Sequence, residues 1–551
     1  MDTPAANDWP GPEAFNQPPP FGGINLFEAD PLVVSAVSGF PDQVRQDLSE
    51  IGAFWGSHEA RELARLANRN PPELERYDTR GRRIDQVNFH PAYHALMRRS
   101  MLAGLHCSIW DRGEAEAGLR HRARAVRMYL TAQTEAGHLC PMVMTNAALA
   151  SLQAETDLLA TWAPRIGSRS YDRNFRPAAV KRAVTIGMGM TERQGGTDVR
   201  ANLTSAEPGA DGLYSLTGHK WFFSAPMSDA FIVLAQAQAG LTAFLLPRFL
   251  PDGTVNAIRL ERLKDKLGNR SNASAEVEFQ GAGAWRVGAE GRGIATILEM
   301  VTLTRLDCAV ASAGLMRAGF AEAVHHVRHR SAFGKKLVDQ PLMTRVLSDM
   351  ALDLAAALAL ALRLAEAFDR ADKQPGEAAY ARLMTPAVKY WICKSAPAFL
   401  FEAMECLGGN GYVEASALPR LYREAPVNAI WEGSGNVMAL DVVRALKGEG
   451  VLPQALETIG SELGPGAKAA VDVLSAAARV AVQDPGSARI LTEQLALTAA
   501  AAALRRDFPP AFADAFIETR LGRPWRATYG MLDGRFDSRA LIDYVAPAMG
   551  E

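Results

Sequence analysis

The sequence predicts a mainly α protein of the α+β class: helices first, then a sheet, then helices again. Three observations carry this. From Pro41 to about Ile166, apolar residues recur at three and four, as in DQVRQDLSEIGAFWGSHEARELARLANR and AYHALMRRSMLAGLHCSIW. Near Lys181 the period shortens, and β-branched or aromatic runs alternate with Gly, Pro, Asn and Asp. At Gly293 the helical period returns and holds for most of the remaining chain. No long helix separates the runs in the middle, which argues for an antiparallel sheet and against a Rossmann domain.

Each element follows in order. Residues 1–40 read as an arm, since FNQPPPFGGINLF holds too much Pro and Gly for a helix. Residues 41–183 read as a helical domain. Residues 184–288 read as the β domain, with strands expected in AVTIGMGM, YSLTGHKWFFS, AFIVLAQAQ, LTAFLLPRF, NAIRLERLKDKLG and ASAEVEFQGAGAWRVG. Residues 289–447 read as a helical bundle that opens with one long helix, GIATILEMVTLTRLDCAVASAGLMRAGFAEAVHHVRHR. After Gly448-Glu449-Gly450 comes a helical, Ala-rich extension, 448–551. A chain of 551 residues is too long for one core, so several folding units are expected.

The totals exclude some classes of function. A net charge of −2 gives no global attraction to nucleic acid or to an anionic membrane. The five cysteines form no CxxC pair, so neither a disulfide framework nor a thiolate metal site is expected, and a reducing cytoplasm fits. His325 and His329 share a helix face, but no acid or Cys beside them completes a ligand set, so no metal is expected. The stretch MALDLAAALALALRLAEAF is interrupted by Asp353 and Arg363 and reads as a buried helix, so no membrane association is expected.

Two loops carry chemistry. MTERQGGTDV, starting at Met190, brackets Gly195-Gly196 with Thr191 and Thr197, and HKWFFS follows about twenty residues later. The first resembles the T-E-P-x-x-G-S-D flavin loop of the acyl-CoA dehydrogenase family, and the second falls where that family has K-x-W-I-T-N. RSAFGKKL resembles its R-x-x-F-G-x-x-L, and WEGSGNVMALDVVRAL its Y-E-G-T segment. FNQPPPF, NRNPPELERYDTRGRRIDQVNFHP, RLERLKDKLGNRSNASAEVEF and LPRLYREAPVNAIWEGSGN bring the likeness closest to the family's alkylation-response branch. The resemblance spans about residues 15–447 and weakens in the last hundred. Motifs in family order are a far stronger signal than any one of them.

The resemblance implies the acyl-CoA dehydrogenase fold with FAD as cofactor and, for its alkylation-response branch, a DNA-binding flavoprotein acting in the response to alkylation damage with weak acyl-CoA dehydrogenation; the alternative is a metabolic dehydrogenase of a short or branched acyl-CoA whose extension is structural. The resemblance places Met190 and Thr191 at the flavin's pyrimidine edge, Thr197 at the pyrophosphate, and Trp221 and Phe222 against the ring system. The family's N5-facing hydroxyl stands two residues after the Trp. Phe223 holds that position here, and Ser224 is the nearest hydroxyl. Arg330 and Phe333 would reach the FAD of a neighbouring subunit, which implies a homo-oligomer with a tetramer as default. Gly408 and Gly409 match a cofactor-binding turn in which Glu405 replaces the usual Gln. Ser434 and Asn436 match flavin contacts. Trp431 replaces a Tyr and would narrow the acyl tunnel.

Glu432 is the expected base. In the family this Glu removes the α-proton of the thioester, and its own backbone N–H with a ribityl hydroxyl meets the developing enolate. Some relatives carry the base on the long helix, where this chain has Thr304. Arg444 is a candidate partner that would hold Glu432 ionised but less basic. For the extension two readings stay open. From Val451 to Glu551 it holds ten Lys and Arg against twelve Asp and Glu, yet Arg505, Arg506, Arg520, Arg523 and Arg526 fall late and close together. They are candidates for tracking the phosphates of double-stranded DNA. The other reading is a structural helical cap.

Overall fold

The computed structural model describes residues 16–209, 212–522 and 535–547. Eight helices lead: α1 (Pro31–Ala36), α2 (Asp42–Trp55), α3 (His58–Arg69), α4 (Pro91–Leu102), α5 (Arg112–Glu116), α6 (Arg120–Ala132), α7 (Leu139–Leu152) and α8 (Thr156–Ile166). Two features depart from expectation here. Helix α1 lies inside the predicted arm, where Asp30 caps it by accepting from the Leu32 N–H. A hairpin, β1 (Glu73–Tyr77) with β2 (Arg83–Asn88), interrupts the predicted helical run. The residues ELERY and RIDQVN alternate at period two. Asp78 accepts from the Arg80 and Arg82 N–H groups, and Gly81 takes the positive φ that the turn needs.

The middle sheet has seven strands: β3 (Ile186–Gly189), β4 (Ser205–Pro208), β5 (Leu213–Ser224), β6 (Ala230–Ala237), β7 (Gly240–Pro247), β8 (Ile258–Leu263) and β9 (Ser274–Val287). Pairings β5–β9, β9–β7, β7–β6, β6–β4 and β4–β5 close on themselves. The expected antiparallel arrangement holds for most pairs, but β3 and β4 each run parallel to β6. Strand β6 shows why AFIVLAQA is apolar at nearly every position. Ala230, Ile232 and Leu234 face α7, whereas Phe231, Val233 and Ala235 fill the opposite core.

Helix returns with α9 (Gly293–His329), about 55 Å long. A two-residue hairpin follows, β10 (Ser331–Ala332) with β11 (Lys335–Lys336). Then come α10 (Pro341–Arg370), α11 (Pro375–Cys406), α12 (Gly409–Tyr412), α13 (Leu418–Asn428) and α14 (Gly435–Ala445). The extension adds α15 (Val451–Leu463), α16 (Ala467–Gln483), α17 (Ala488–Asp507), α18 (Pro510–Phe516) and α19 (Ser538–Val545). One apolar core runs from the N-terminal helices through the bundle into this extension. Helix α17 is buried on almost every side from Leu495 to Leu504, and its run of alanines lets neighbouring helices approach closely. Among the described residues no helix is long and apolar enough to cross a membrane.

Candidate functional site

The two chemistry-bearing loops meet. The Trp221 N–H donates to the Thr191 carbonyl at 2.9 Å, so HKWFFS lies directly against MTERQGGTDV. A buried pair that the sequence reading missed holds the first loop in shape. Glu192 and Lys220 sit 2.8 Å apart with fully buried side chains. Glu192 also accepts from the Leu203 and Thr204 N–H groups and from the Thr204 hydroxyl. These bonds and the Lys220 charge overcome burial and hold Glu192 at about 2, while burial lowers Lys220 to about 8.

On strand β5 a bulge between Lys220 and Phe223 resets the alternation against β9. Phe223 turns inward with no exposed surface and packs on Phe231 at 4.2 Å. The expectation that Phe223 contacts the cofactor is therefore corrected: it is core. Ser224, its neighbour, faces the other side, as successive strand residues must. Its hydroxyl lies 3.5 Å from that of Ser274. Trp221 is half-buried, with Lys264 3.5 Å above its ring, and Phe222 is exposed.

Glu432 stands on the loop between α13 and α14. Its φ is +57°, a left-handed conformation that costs a non-glycine residue about 1–2 kcal/mol. Neighbouring carbonyls are clamped to hold it. Lys389 donates to the Asn428 and Gly433 carbonyls at 2.9 and 2.8 Å, and Arg305 Nε donates to the Glu432 carbonyl at 3.0 Å. Arg305 is itself fixed by Asp441 at 2.7 Å. The Thr304 hydroxyl lies 2.8 Å from Glu432 Oε2. The two positions that the sequence offered as alternative sites for a base are thus in contact, one as the carboxylate and the other as its partner. Burial pushes the Glu432 carboxyl above its ordinary range, against the Thr304 hydrogen bond and the Lys389 and Arg305 charges. Arg444 is exposed near the end of α14, and the cations beside Glu432 are Lys389 and Arg305, which corrects the suggested Arg444 partnership. The Trp431 ring is pinned by its Nε1 donating to Asn428 Oδ1 at 3.0 Å.

The remaining candidates divide. Met190 and Trp431 both pack on the apolar wall formed by α7, β3 and the start of α9. Ser434 precedes α14 as its N-cap residue and makes no side-chain cap bond, whereas Asn436 Oδ1 accepts from Arg489. Gly408 and Gly409 lie exposed. Arg330 donates to the Asn16 carbonyl at 2.6 Å, and Asn16 holds Ser331 through two further bonds, so the N-terminal arm straps the β10–β11 hairpin. At the tip of that hairpin Phe333 is 99% exposed with φ +51°.

The arginines offered for DNA are corrected in part. Arg505 pairs with Asp514, and Arg506 with Glu366 and Asp507. Arg520 is buried and reaches Asp349 and Asp353 on α10. Charges neutralised within the fold in this way do not track phosphates. Arg523 and Arg526 lie outside the described residues.

The donor set fits a flavin nucleotide. Among the described residues the Thr191 and Thr197 hydroxyls and the Glu432 backbone N–H meet no protein partner. A Cβ at Gly196 would come within 3.0 Å of the Thr191 hydroxyl, so glycine keeps that group open to a ligand. A helical domain, a closed β domain and a helical bundle holding a buried carboxylate are the architecture of a flavin-dependent acyl-CoA dehydrogenase.

Comparison with known proteins identifies the family. Residues 16–173 match the adaptive response protein AidB N-terminal domain, 187–282 the acyl-CoA dehydrogenase middle domain and 291–447 its C-terminal domain. The AidB protein of Escherichia coli is 53% identical over 441 residues, which is 80% of this chain and 81% of that one. Acyl-CoA dehydrogenase family member 11 of Caenorhabditis elegans is 34% identical over 74% of this chain and 67% of its own length. A solved structure of the C. elegans protein ACDH-11, in complex with C11-CoA, superposes with a TM-score of 0.83 at 26% identity and covers 99% of this chain and 96% of that one. The apo form of Bd2924 gives 0.82 at 28% identity over 89% of this chain and 99% of that one. The chain belongs to the acyl-CoA dehydrogenase family, FAD-dependent oxidoreductases acting on CH–CH bonds, and its N-terminal domain is of the AidB type.

Proposed function

We propose that the chain dehydrogenates a short or branched acyl-CoA with Glu432 as the base, and that its extension is a structural part of the bundle. The contact between Glu432 and Thr304 carries this reading. The Thr304 hydroxyl also lies 2.9 Å from the Val301 carbonyl. It can donate to an ionised Glu432, or accept from a protonated one while donating to Val301. The same pair therefore serves the carboxylate before and after it takes the α-proton. The Glu432 N–H would meet the thioester oxygen as enolate character develops. Bound FAD would supply the acceptor for the hydride that leaves the β-carbon. Residues Thr191, Thr197, Trp221, Ser224 and Ser434 would hold it, and pinned Trp431 would limit chain length. The likeness to a protein solved with C11-CoA supports an acyl-CoA ligand.

The single chain leaves Phe333 in solvent beside Arg330, which supports a homo-oligomer, a tetramer by resemblance, in which this hairpin meets a neighbour's cofactor. The test is anaerobic bleaching of the bound flavin by a panel of acyl-CoAs. Isovaleryl-CoA or butyryl-CoA should bleach it, and a panel that leaves the flavin oxidised would overturn the reading.

A second reading, duplex binding in a response to alkylation damage, is favoured by the AidB-type N-terminal domain. It no longer has Arg505, Arg506 or Arg520 to draw on. A gel-shift titration at low salt separates the readings, since binding through phosphates must weaken steeply as salt rises.

A further inference from the structure

Lys266 lies in the segment between β8 and β9, and the proton transfer above makes no use of it. Its Nζ donates to the Asn272 carbonyl at 2.7 Å, to the Ser274 hydroxyl at 3.2 Å and to Asn269 Oδ1 at 3.4 Å. All three partners are neutral. Among the described residues no carboxylate pairs with it directly. The nearest acids act from farther away and are committed elsewhere. Glu424 on α13 accepts from the Asn269 backbone and side chain. Glu135 accepts from His138, Ser271 and Asn68. Cys140 also faces Lys266, with its thiol pushed up to about 12 by burial and so neutral. Burial lowers the Lys266 ammonium to about 8, so it remains mostly charged at neutral pH.

Lys266 is partly buried, and a desolvated charge held only by neutral hydrogen-bond partners keeps its field for whatever lies beside it. Ser274 lies opposite Ser224 in the β5–β9 ladder, and their hydroxyl oxygens are 3.5 Å apart. Lys266, Ser274 and Ser224 form a line from the cation to the wall where the flavin's N5 edge is expected.

We propose that Lys266 is a positioning residue that acts through Ser274 and Ser224 on the flavin, so that its positive charge favours the reduced cofactor. The inference rests on the placement of Ser224 beside the flavin. The electrons balance within the dehydrogenation itself. The α C–H pair becomes the new C=C bond, its proton goes to Glu432, and the β C–H pair passes to the flavin. The added pair leaves negative charge on the ring system, and a fixed cation lowers the energy of that state.

The test needs no substrate and so does not depend on Glu432. Sulfite affinity and the two-electron reduction potential are measured on FAD-loaded parent, Lys266→Met, Lys266→Arg, Ser274→Ala and Ser224→Ala proteins. Lys266→Met should bind sulfite at least tenfold more weakly, with a potential lower by the same factor, about 30 mV for a two-electron couple. Lys266→Arg should recover most of the loss, which a merely structural lysine does not require. Unchanged sulfite affinity and potential in Lys266→Met would overturn the proposal. Should that variant not retain FAD, Ser274→Ala decides: a fall in sulfite affinity supports the line, and parent-like values overturn it. If Lys266→Met behaves as expected but Ser224→Ala matches the parent, the placement of Ser224 fails and the relay as drawn fails with it.

Discussion

Replacing Thr304 by Val keeps the shape of the side chain and removes the hydrogen bond that Glu432 Oε2 receives. Burial holds the Glu432 carboxyl above its ordinary range, and the Thr304 bond is the first of the influences opposing that rise. Without it the proton is held more tightly. A hydrogen bond to a charged group contributes roughly 1.5–3 kcal/mol, and 1.36 kcal/mol corresponds to one pH unit, so the expected displacement is about one to two units upward. The base must be ionised to act, so flavin reduction should rise with pH and level off above the Glu432 transition. In Thr304→Val the same limb should appear at higher pH. The two proteins should differ by about 10- to 100-fold at the acid end and converge toward the plateau. The assay is anaerobic stopped-flow reduction by isovaleryl-CoA across pH, with Glu432→Gln alongside. That control should lose about 10²- to 10⁴-fold on the plateau and show no acid limb from Glu432. An acid limb that stays in place in Thr304→Val would refute the role given to the contact. Parent-like rates in Glu432→Gln would refute the base itself.

Three further outcomes are expected. Lys220→Met leaves Glu192 buried without its cation, so it should cost about 3–5 kcal/mol in urea unfolding and release FAD; unchanged stability would contradict the buried pair. In the parent, Glu192 titrates at about 2 when folded, below its unfolded value. Its contribution is therefore complete above pH ~4.3 and fades as pH falls toward 2, so acid unfolding of the parent should show this loss and Lys220→Met should show less of it. Arg520→Ala uncovers buried Asp349 and Asp353 and should lower the thermal midpoint strongly while leaving any duplex affinity near that of the parent; the reverse pattern would restore Arg520 to a DNA surface. Asn16→Ala removes two bonds to the β10–β11 hairpin and should weaken FAD retention and subunit association together, read by flavin release and light scattering.

The order of helix, sheet and helix was legible because periods of 3.6 and 2 are local properties, set by which faces are buried. The strand runs of the middle domain were found through their β-branched and aromatic residues. The β1–β2 hairpin escaped because ELERY and RIDQVN are mostly polar, with only Leu74 and Val87 paired on the face that packs into the β-domain core, and carry little hydrophobic signal. It is held instead by contacts distant in sequence, such as Arg83 donating to the Leu260 carbonyl and to Glu261. Strand β4 escaped for a related reason, being four residues long and ending in Pro208.

The site follows the same division. The likeness of MTERQGGTDV and WEGSG to the family's motifs made Thr191, Thr197 and Glu432 candidates without any coordinates. Whether Phe223 or Ser224 faces the ligand depends on a bulge, and a bulge is a relation between β5 and β9 that neither strand shows alone. The partners of charged residues were the least legible. Thr304 and Glu432 are 128 positions apart, and Arg520 and Asp353 are 167 apart. A late cluster of arginines reads as a basic surface until the fold brings each acid to it. In this chain, then, the charges that look free in sequence are mostly neutralised within the fold. Lys266 and Lys389, unremarked in the sequence, are among the exceptions: each donates only to neutral groups.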